Sequence, residues 1–117
     1  MKKVYHLSTC NTCQKIIKEL DLPENFELQD IKKEAITKDQ LEEMKALAGN
    51  YEALFSRRAR LYKERGLKEK ELSETDYKTL ILEHYTFLKR PVIINDSEIF
   101  IGNSKKTASA AKASIHG

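Results

Sequence analysis

The chain has 117 residues, of which 40% are hydrophobic and 33% are charged, and this size and balance are typical of one globular domain with a single core. The net charge of +3 comes from interleaved basic and acidic residues, which argues against a surface that binds nucleic acid directly. No apolar run approaches the ~20 residues of a membrane span, and the N-terminus lacks the apolar stretch of a signal peptide. We therefore expect a cytoplasmic protein that makes no membrane contact.

The first thirty residues predict a βαβ unit. Residues 2–7 form a short apolar strand, residues 11–20 have a helical pattern that ends before Pro23, and residues 26–29 alternate like a second strand. A strand, a helix and a strand in this order predict two parallel strands joined by a right-handed crossover.

The middle of the chain is predicted to be helical. Thr37 and Gln40 have the spacing of a capping box, and Gly49 is a stop signal for the helix that follows. Residues 54–66 predict a short charged helix, and Ser73 has the chemistry of a cap for another. The predicted apolar face of that last helix consists of Tyr77, Leu80, Ile81 and His84.

The end of the chain predicts a hairpin and a final helix. Residues 91–94 are a continuous apolar run that fits a buried strand, residues 95–97 have the composition of a turn, and residues 98–101 form the return strand. An alanine-rich helix is expected near 105–114.

Cys10 and Cys13, the only two cysteines, lie at the turn between the first strand and the first helix. The first turn of a helix has peptide N–H groups without partners and a partial positive charge, and both stabilise a thiolate. Such positions lower the thiol pKa from about 8.5 to roughly 3.5–7.5, and the thiolate is the nucleophile. Cys10 is then the attacking residue, and Cys13, one helical turn on, can resolve an adduct formed on it.

Two other interpretations of this pair stay open. A Cys-x-x-Cys sequence is also half of a zinc site, but His6, His84 and His116 are scattered without ligand spacing, so we predict no metal. The cysteines could also be two small buried side chains without chemistry, since buried cysteines are common.

The element order, with Cys-x-x-Cys after the first strand and a proline opening the third, resembles a thioredoxin fold. Residues 5–10, residues 54–67 and residues 87–93 are similar to segments of the glutaredoxin-coupled arsenate reductases. The resemblance implies an α/β fold: one thioredoxin-like domain over residues 1–117, with a βαβ-ββα core and an inserted helical segment at about 32–86. The same family contains the Spx-type regulators, which bind RNA polymerase and sense disulfide stress through Cys-x-x-Cys.

The resemblance also implies a catalytic site. Cys10 is the nucleophile, Cys13 the resolving thiol, and Arg58 and Arg90 form a clamp for an oxyanion, a task that suits the planar guanidinium. Pro91 is the proline that is cis in thioredoxin-like folds.

A second group of residues is implied in substrate binding. These residues are His6, Asn11, Thr12, Pro91 and Asn103. Asn103 stands where the reductases have a third arginine, so one charged contact to an oxyanion is missing. Gln14 replaces an arginine that is frequent in the family.

The hypothesis favoured by these features is a thiol-dependent oxidoreductase of the arsenate reductase family. It holds no bound cofactor, acts on a small oxyanion or a thiol or disulfide substrate, and receives electrons from glutathione and glutaredoxin or from thioredoxin. The alternative is a Spx-like redox sensor that binds RNA polymerase, and a third interpretation is a fold without a redox role.

Overall fold

The computed structural model describes all of residues 1–117, with secondary structure close to the predicted order. In chain order the strands and helices are β1 (Lys2–His6), α1 (Asn11–Leu20), β2 (Glu27–Asp30), α2 (Lys38–Ala48), α3 (Arg60–Glu64), α4 (Glu74–Glu83), β3 (Val92–Asn95), β4 (Glu98–Ile101) and α5 (Lys105–His116). No helix combines the length and the apolar character needed to cross a membrane.

The chain forms two compact units. The sheet unit consists of Met1–Glu34 and Arg90–Gly117, and the helical unit consists of Ala35–Lys89. The sheet unit contains all four strands with α1 and α5. The βαβ-ββα order predicted for the core is thereby confirmed.

The sheet has the strand order β2-β1-β3-β4, with β1 parallel to β2 and antiparallel to β3. In this register Val4 lies opposite both Leu28 and Ile93. The carboxyl ends of β1 and β2 therefore lie at the same edge as the start of β3. That edge holds the cysteine turn after β1 and the Arg90–Pro91 peptide before β3.

The core of the sheet unit lies between the central strands and the two helices. Its buried residues are Val4, Ile16, Leu20, Ile93 and Ala111. Burying one valine, leucine or isoleucine side chain contributes about 1.5–3 kcal/mol. Helix α1 buries Cys13, Ile16 and Leu20 along one stripe, so its packing holds the cysteine pair against the sheet.

The helical unit is organised by two capping boxes and an aromatic cluster. Thr37 and Gln40 bond each other's backbone at the start of α2, and Ser73 and Asp76 do the same at α4, as predicted. The ring of Phe55 contacts three others, with centroid distances of 5.9, 4.9 and 5.4 Å. These three rings are Tyr62, Tyr77 and Phe87.

The predicted helix over residues 54–66 is wrong in extent. A 3₁₀ turn covers Glu52–Leu54, and α3 has only the 5 residues Arg60–Glu64. Between them Phe55 pairs with Leu88 in an isolated antiparallel bridge. That pairing holds the backbone extended at Phe55 and excludes a continuous helix there.

Smaller corrections concern the ends of elements. His84 does not belong to α4; its extended backbone ends the helix, and its Nδ1 accepts from the Thr86 N–H at 3.0 Å, which begins the 3₁₀ turn Tyr85–Phe87. The last helix extends past residue 114, and a ring nitrogen of His116 lies 2.7 Å from the Leu20 carbonyl oxygen.

Strand bounds differ from the prediction by one residue. β1 ends at His6, β2 starts at Glu27 and runs to Asp30, and β3 starts at Val92 and runs to Asn95.

Candidate active site

Cys10 is the N-cap residue of α1 and directly precedes the first helical residue. Its backbone is extended, with φ −96° and ψ 108°, its N–H donates to the Leu7 carbonyl at 3.0 Å, and its own carbonyl accepts the first helical bond from Gln14 at 3.1 Å. Cys10 is half-buried, and both cysteines are free thiols. The sulfur thus lies where the free N–H groups of the first turn converge.

The pKa of Cys10 is lowered from its ordinary value although burial of the sulfur opposes ionisation. The peptide N–H and the thiol of Cys13, the positive charge of Arg90 and the N–H of Thr12 act on the sulfur and outweigh that burial. The arrangement favours a thiolate at Cys10.

Cys13 has the opposite character. Its side chain is 0% exposed, and burial raises the pKa of its thiol to about 12, helped by its hydrogen bond to Cys10 and by the negative charge there. Because the two pKa shifts are opposite, Cys10 loses its proton first. Between the two pKa values the pair holds one proton, and that proton is on Cys13.

The backbone of Leu7 contacts both cysteines. Its N–H acts on the Cys13 sulfur, and its carbonyl oxygen accepts from the Cys10 N–H at 3.0 Å and from the Gln14 side-chain amide at 3.0 Å. The end of β1 is therefore hydrogen-bonded directly to the turn that carries the two cysteines.

The same amide nitrogen of Gln14 lies 3.1 Å from Nδ1 of His6. Because Nε2 of Gln14 already donates to Leu7, its second hydrogen is directed to Nδ1, which must then accept and be unprotonated. Burial lowers the pKa of His6, and the Asp30 carboxylate opposes this shift only in part. His6 thus supports the turn as a neutral imidazole.

Asp30, at the end of β2, is a site residue that the sequence interpretation missed. Its Oδ1 accepts from the Ser8 N–H at 3.3 Å and from the Lys32 N–H at 3.1 Å, while its Oδ2 is buried. The Ser8 hydroxyl is the main cause of its lowered pKa. The signal that could have identified Asp30 from the sequence is an acidic residue at the carboxyl end of a strand predicted to run parallel to β1.

The Arg90–Pro91 peptide is cis, as the resemblance implied. The Pro91 carbonyl accepts from the Gly102 N–H at 3.0 Å, which links the start of β3 to the end of β4. Asn103 follows on the surface. The backbone of Gly102 has φ +96°, a conformation that residues with a side chain rarely adopt. The hydrogen bond from Gly102 to Pro91 therefore depends on a glycine at this position.

The structure brings together only part of the predicted site. Cys13, Thr12 and Arg90 all act on Cys10 at the sheet edge, and Asn11 is exposed as the first residue of α1. Arg58 belongs to the helical unit, where it is exposed before α3, and its part in the clamp stays a prediction. No three His, Cys, Asp or Glu side chains are grouped to hold a metal ion.

Solved structures with the same fold cover nearly the whole chain. A Staphylococcus aureus protein is 28% identical with a TM-score of 0.74, and covers 94% of this chain and 97% of its own. A protein related to the ArsC family from Bacteroides fragilis is 22% identical with a TM-score of 0.77, covering 94% and 97%. The arsenate reductase of Vibrio cholerae is 17% identical with a TM-score of 0.73, covering 94% and 93%.

These likenesses confirm the thioredoxin-like α/β fold. No curated protein sequence matches the chain. The family model of the ArsC family matches residues 5–111. This match supports a reductase that depends on thiols. The chain belongs to the ArsC family.

Proposed function

We propose that the protein is a two-cysteine oxidoreductase in which Cys10 attacks an oxidised substrate and Cys13 resolves the adduct. The observation that carries the proposal is the opposite setting of the two thiols: a half-exposed Cys10 with a lowered pKa, and a fully buried Cys13 whose proton is held next to it. An attacking thiol needs access and ionisation, whereas a resolving thiol needs only to reach its partner.

A disulfide substrate would be reduced in two successive thiol–disulfide exchanges. The Cys10 thiolate attacks one substrate sulfur, the substrate S–S bond breaks, and the other sulfur leaves as a thiolate. Cys13 then gives its proton to that thiolate and attacks Cys10 Sγ. The mixed disulfide breaks, a Cys10–Cys13 disulfide forms and the second thiolate leaves, so the substrate gains the two electrons that the cysteine pair loses.

An arsenic(V) oxyanion would follow the same route. Cys10 would displace a hydroxyl of the oxyanion, which takes the proton of the second thiol and leaves as water, and a sulfur–arsenic bond would form. Attack by the second thiolate on Cys10 Sγ would form a disulfide, break the sulfur–arsenic bond and leave its electron pair on arsenic as arsenic(III). Arg90 supplies positive charge at Cys10, and the resemblance adds Arg58 as the second part of the clamp. Asn103 in place of a third arginine favours a disulfide over arsenate as the substrate.

The test uses two acceptors and three proteins: the reduced wild type, Cys10→Ser and Cys13→Ser. With bis(2-hydroxyethyl) disulfide we expect the wild type to form a Cys10–Cys13 disulfide and to release two thiols. Cys13→Ser should stop at a mixed disulfide on Cys10, and Cys10→Ser should not react. Mass spectrometry distinguishes the three products.

In the arsenate arm, arsenite is measured with glutathione and glutaredoxin as the reductant. Turnover that survives Cys13→Ser assigns the resolving step to glutathione instead of Cys13. A Cys10 thiol that titrates at the ordinary pKa and reacts with neither acceptor overturns the proposal. A Cys10–Cys13 disulfide that forms with hydrogen peroxide while neither acceptor is reduced would favour the regulator, which capture of RNA polymerase subunits then tests.

A further inference from the structure

A groove opens between α1 and α5 in the sheet unit, and the proposed redox cycle does not use it. Its volume is about 540 Å³, within the range of ligand sites. Both helices begin at the edge of the sheet that carries Cys10. Helix α1 follows β1, which ends at this edge; β3 starts there, so the antiparallel β4 ends there, and α5 follows β4. The groove therefore starts at the cysteine turn and runs along the two helices.

The groove is continuous with the environment of Cys10 through one residue. Thr12 lines the groove, and its peptide N–H acts on the Cys10 sulfur. Asn103 lines the groove as well. A ligand in the groove would thus extend away from a sulfur bound at Cys10.

The charge of the lining is strongly one-sided. Lys15, Lys105 and Lys112 line the groove against one acid, Glu19. None of the three lysines takes part in the ion pairs of the chain. Helix α5 contains no acidic residue that could compensate them. These cations are therefore free to meet carboxylates of a ligand.

The floor of the groove is apolar and its width depends on small residues. Ile16 and Leu20 are buried beneath it, and Ala108 and Ser109 face it from α5.

Lys105 and Lys112 are seven positions apart on one helix, which corresponds to about 10 Å along its axis. An extended peptide covers that distance in about three residues.

We propose that this groove binds an acidic peptide segment that carries the disulfide attacked by Cys10, with carboxylates about three residues apart facing Lys105 and Lys112. The proposal rests on the proposed function, because it assigns the substrate of the same cysteine pair. The partner is a protein or peptide disulfide flanked by Asp or Glu. Binding would orient the disulfide at Cys10 and raise the rate of the first exchange.

The experiment compares short peptides that carry one cysteine as a mixed disulfide with 2-mercaptoethanol. One peptide has two glutamates three residues apart, a second has glutamines there and a third has lysines. The second-order rate constant of oxidation of the reduced protein is measured by quenching and chromatography. Charge complementarity of this kind raises association rates by about 10- to 1,000-fold, so we expect the glutamate peptide to react at least about tenfold faster than the glutamine peptide at low salt. The lysine peptide should be slowest, and 1 M salt should remove most of the difference.

Matched variants locate the effect. Lys105→Glu with Lys112→Glu reverses the two charges that face the proposed carboxylates, whereas Lys18→Glu with Lys106→Glu reverses two exposed charges on α1 and α5 outside the lining of the groove. The groove variant should lose the preference for glutamate and favour the lysine peptide. The control variant should keep the wild-type ratio of rates, and thermal unfolding checks that both are folded.

Equal rates for the glutamate and glutamine peptides, or equal loss of the preference in both variants, would overturn the groove proposal. Bis(2-hydroxyethyl) disulfide separates this failure from failure of the proposed function. If this neutral disulfide still oxidises Cys10, only the groove assignment is wrong; if it does not, the redox function itself fails.

Discussion

The side-chain amide of Gln14 donates to Nδ1 of His6 at 3.1 Å and, with its other hydrogen, to the Leu7 carbonyl at 3.0 Å. Both bonds can form together only while His6 is neutral at Nδ1, because a protonated Nδ1 would place two donors against each other. The hydrogen bonding of the cysteine turn is therefore linked to the protonation of His6.

We expect Gln14→Glu to raise the pKa of His6 above its wild-type value. The wild-type pKa is lowered by burial, and a carboxylate beside Nδ1 would stabilise the imidazolium. NMR titration of the His6 ring measures this pKa. Gln14→Met, which has a similar size and no hydrogen bond, is the control and should not raise the pKa in this way. An unchanged His6 pKa in Gln14→Glu would contradict the observed contact.

The cysteine pair should titrate as two distinct thiols. Absorbance at 240 nm should show the Cys10 thiolate forming at a pH below the ordinary range of a thiol. The Cys13 thiolate should form only near pH 12. In Cys13→Ala the Cys10 pKa should rise, because the hydrogen bond from the neighbouring thiol is lost while the peptide N–H remains. In Cys10→Ser the Cys13 pKa should fall, since the neighbouring charge is gone, and should stay above the ordinary value because the residue is buried. Two thiols with the same pKa would contradict this account.

Arg90→Gln should make Cys10 less reactive at neutral pH. The positive charge of Arg90 is one of the causes of the lowered Cys10 pKa, so its removal shifts thiolate formation to higher pH. The pH dependence of alkylation by iodoacetamide measures the shift. At high pH, where the thiol is fully ionised, the rates of wild type and variant should converge. A loss of rate that persists at high pH would point to disrupted structure instead.

Thr37→Ala should destabilise the helical unit. The Thr37 hydroxyl accepts from the Gln40 N–H at 3.1 Å at the start of α2, and loss of such a cap costs about 1 kcal/mol. Urea unfolding measures the difference. Thr79→Ala is the matched control: Thr79 is exposed inside α4, so the same substitution should be near neutral there or slightly stabilising. Equal costs at both positions would contradict a specific role for the cap.

The helix starts were predictable because their signals are local. Thr37 with Gln40 and Ser73 with Asp76 define their caps within four residues, and both capping boxes form. The position of Cys10 at the start of α1 follows from the same kind of signal. Such features need no knowledge of distant chain segments.

The predictions that failed depend on distant partners. The helix expected over 54–66 is interrupted because Phe55 pairs with Leu88, and the N–H of Lys89 donates to the Leu54 carbonyl at 2.8 Å. His84 matched the apolar period of α4 but leaves the helix to cap the next turn. Periodicity cannot report such bonds.

The sequence by itself determined that a Cys-x-x-Cys turn lies between a strand and a helix, and it predicts Cys10 as the nucleophile. It could do so because strand, turn and helix are adjacent in the chain. Only the tertiary structure decided the contrast between the thiols: the sheet buries Cys13, Arg90 acts on Cys10 from the bend before β3, 80 positions away in the sequence, and Asp30 and Gln14 fix the end of β1. Thiol ionisation depends on burial and on nearby charge, and both are set by packing between elements that are far apart in the sequence.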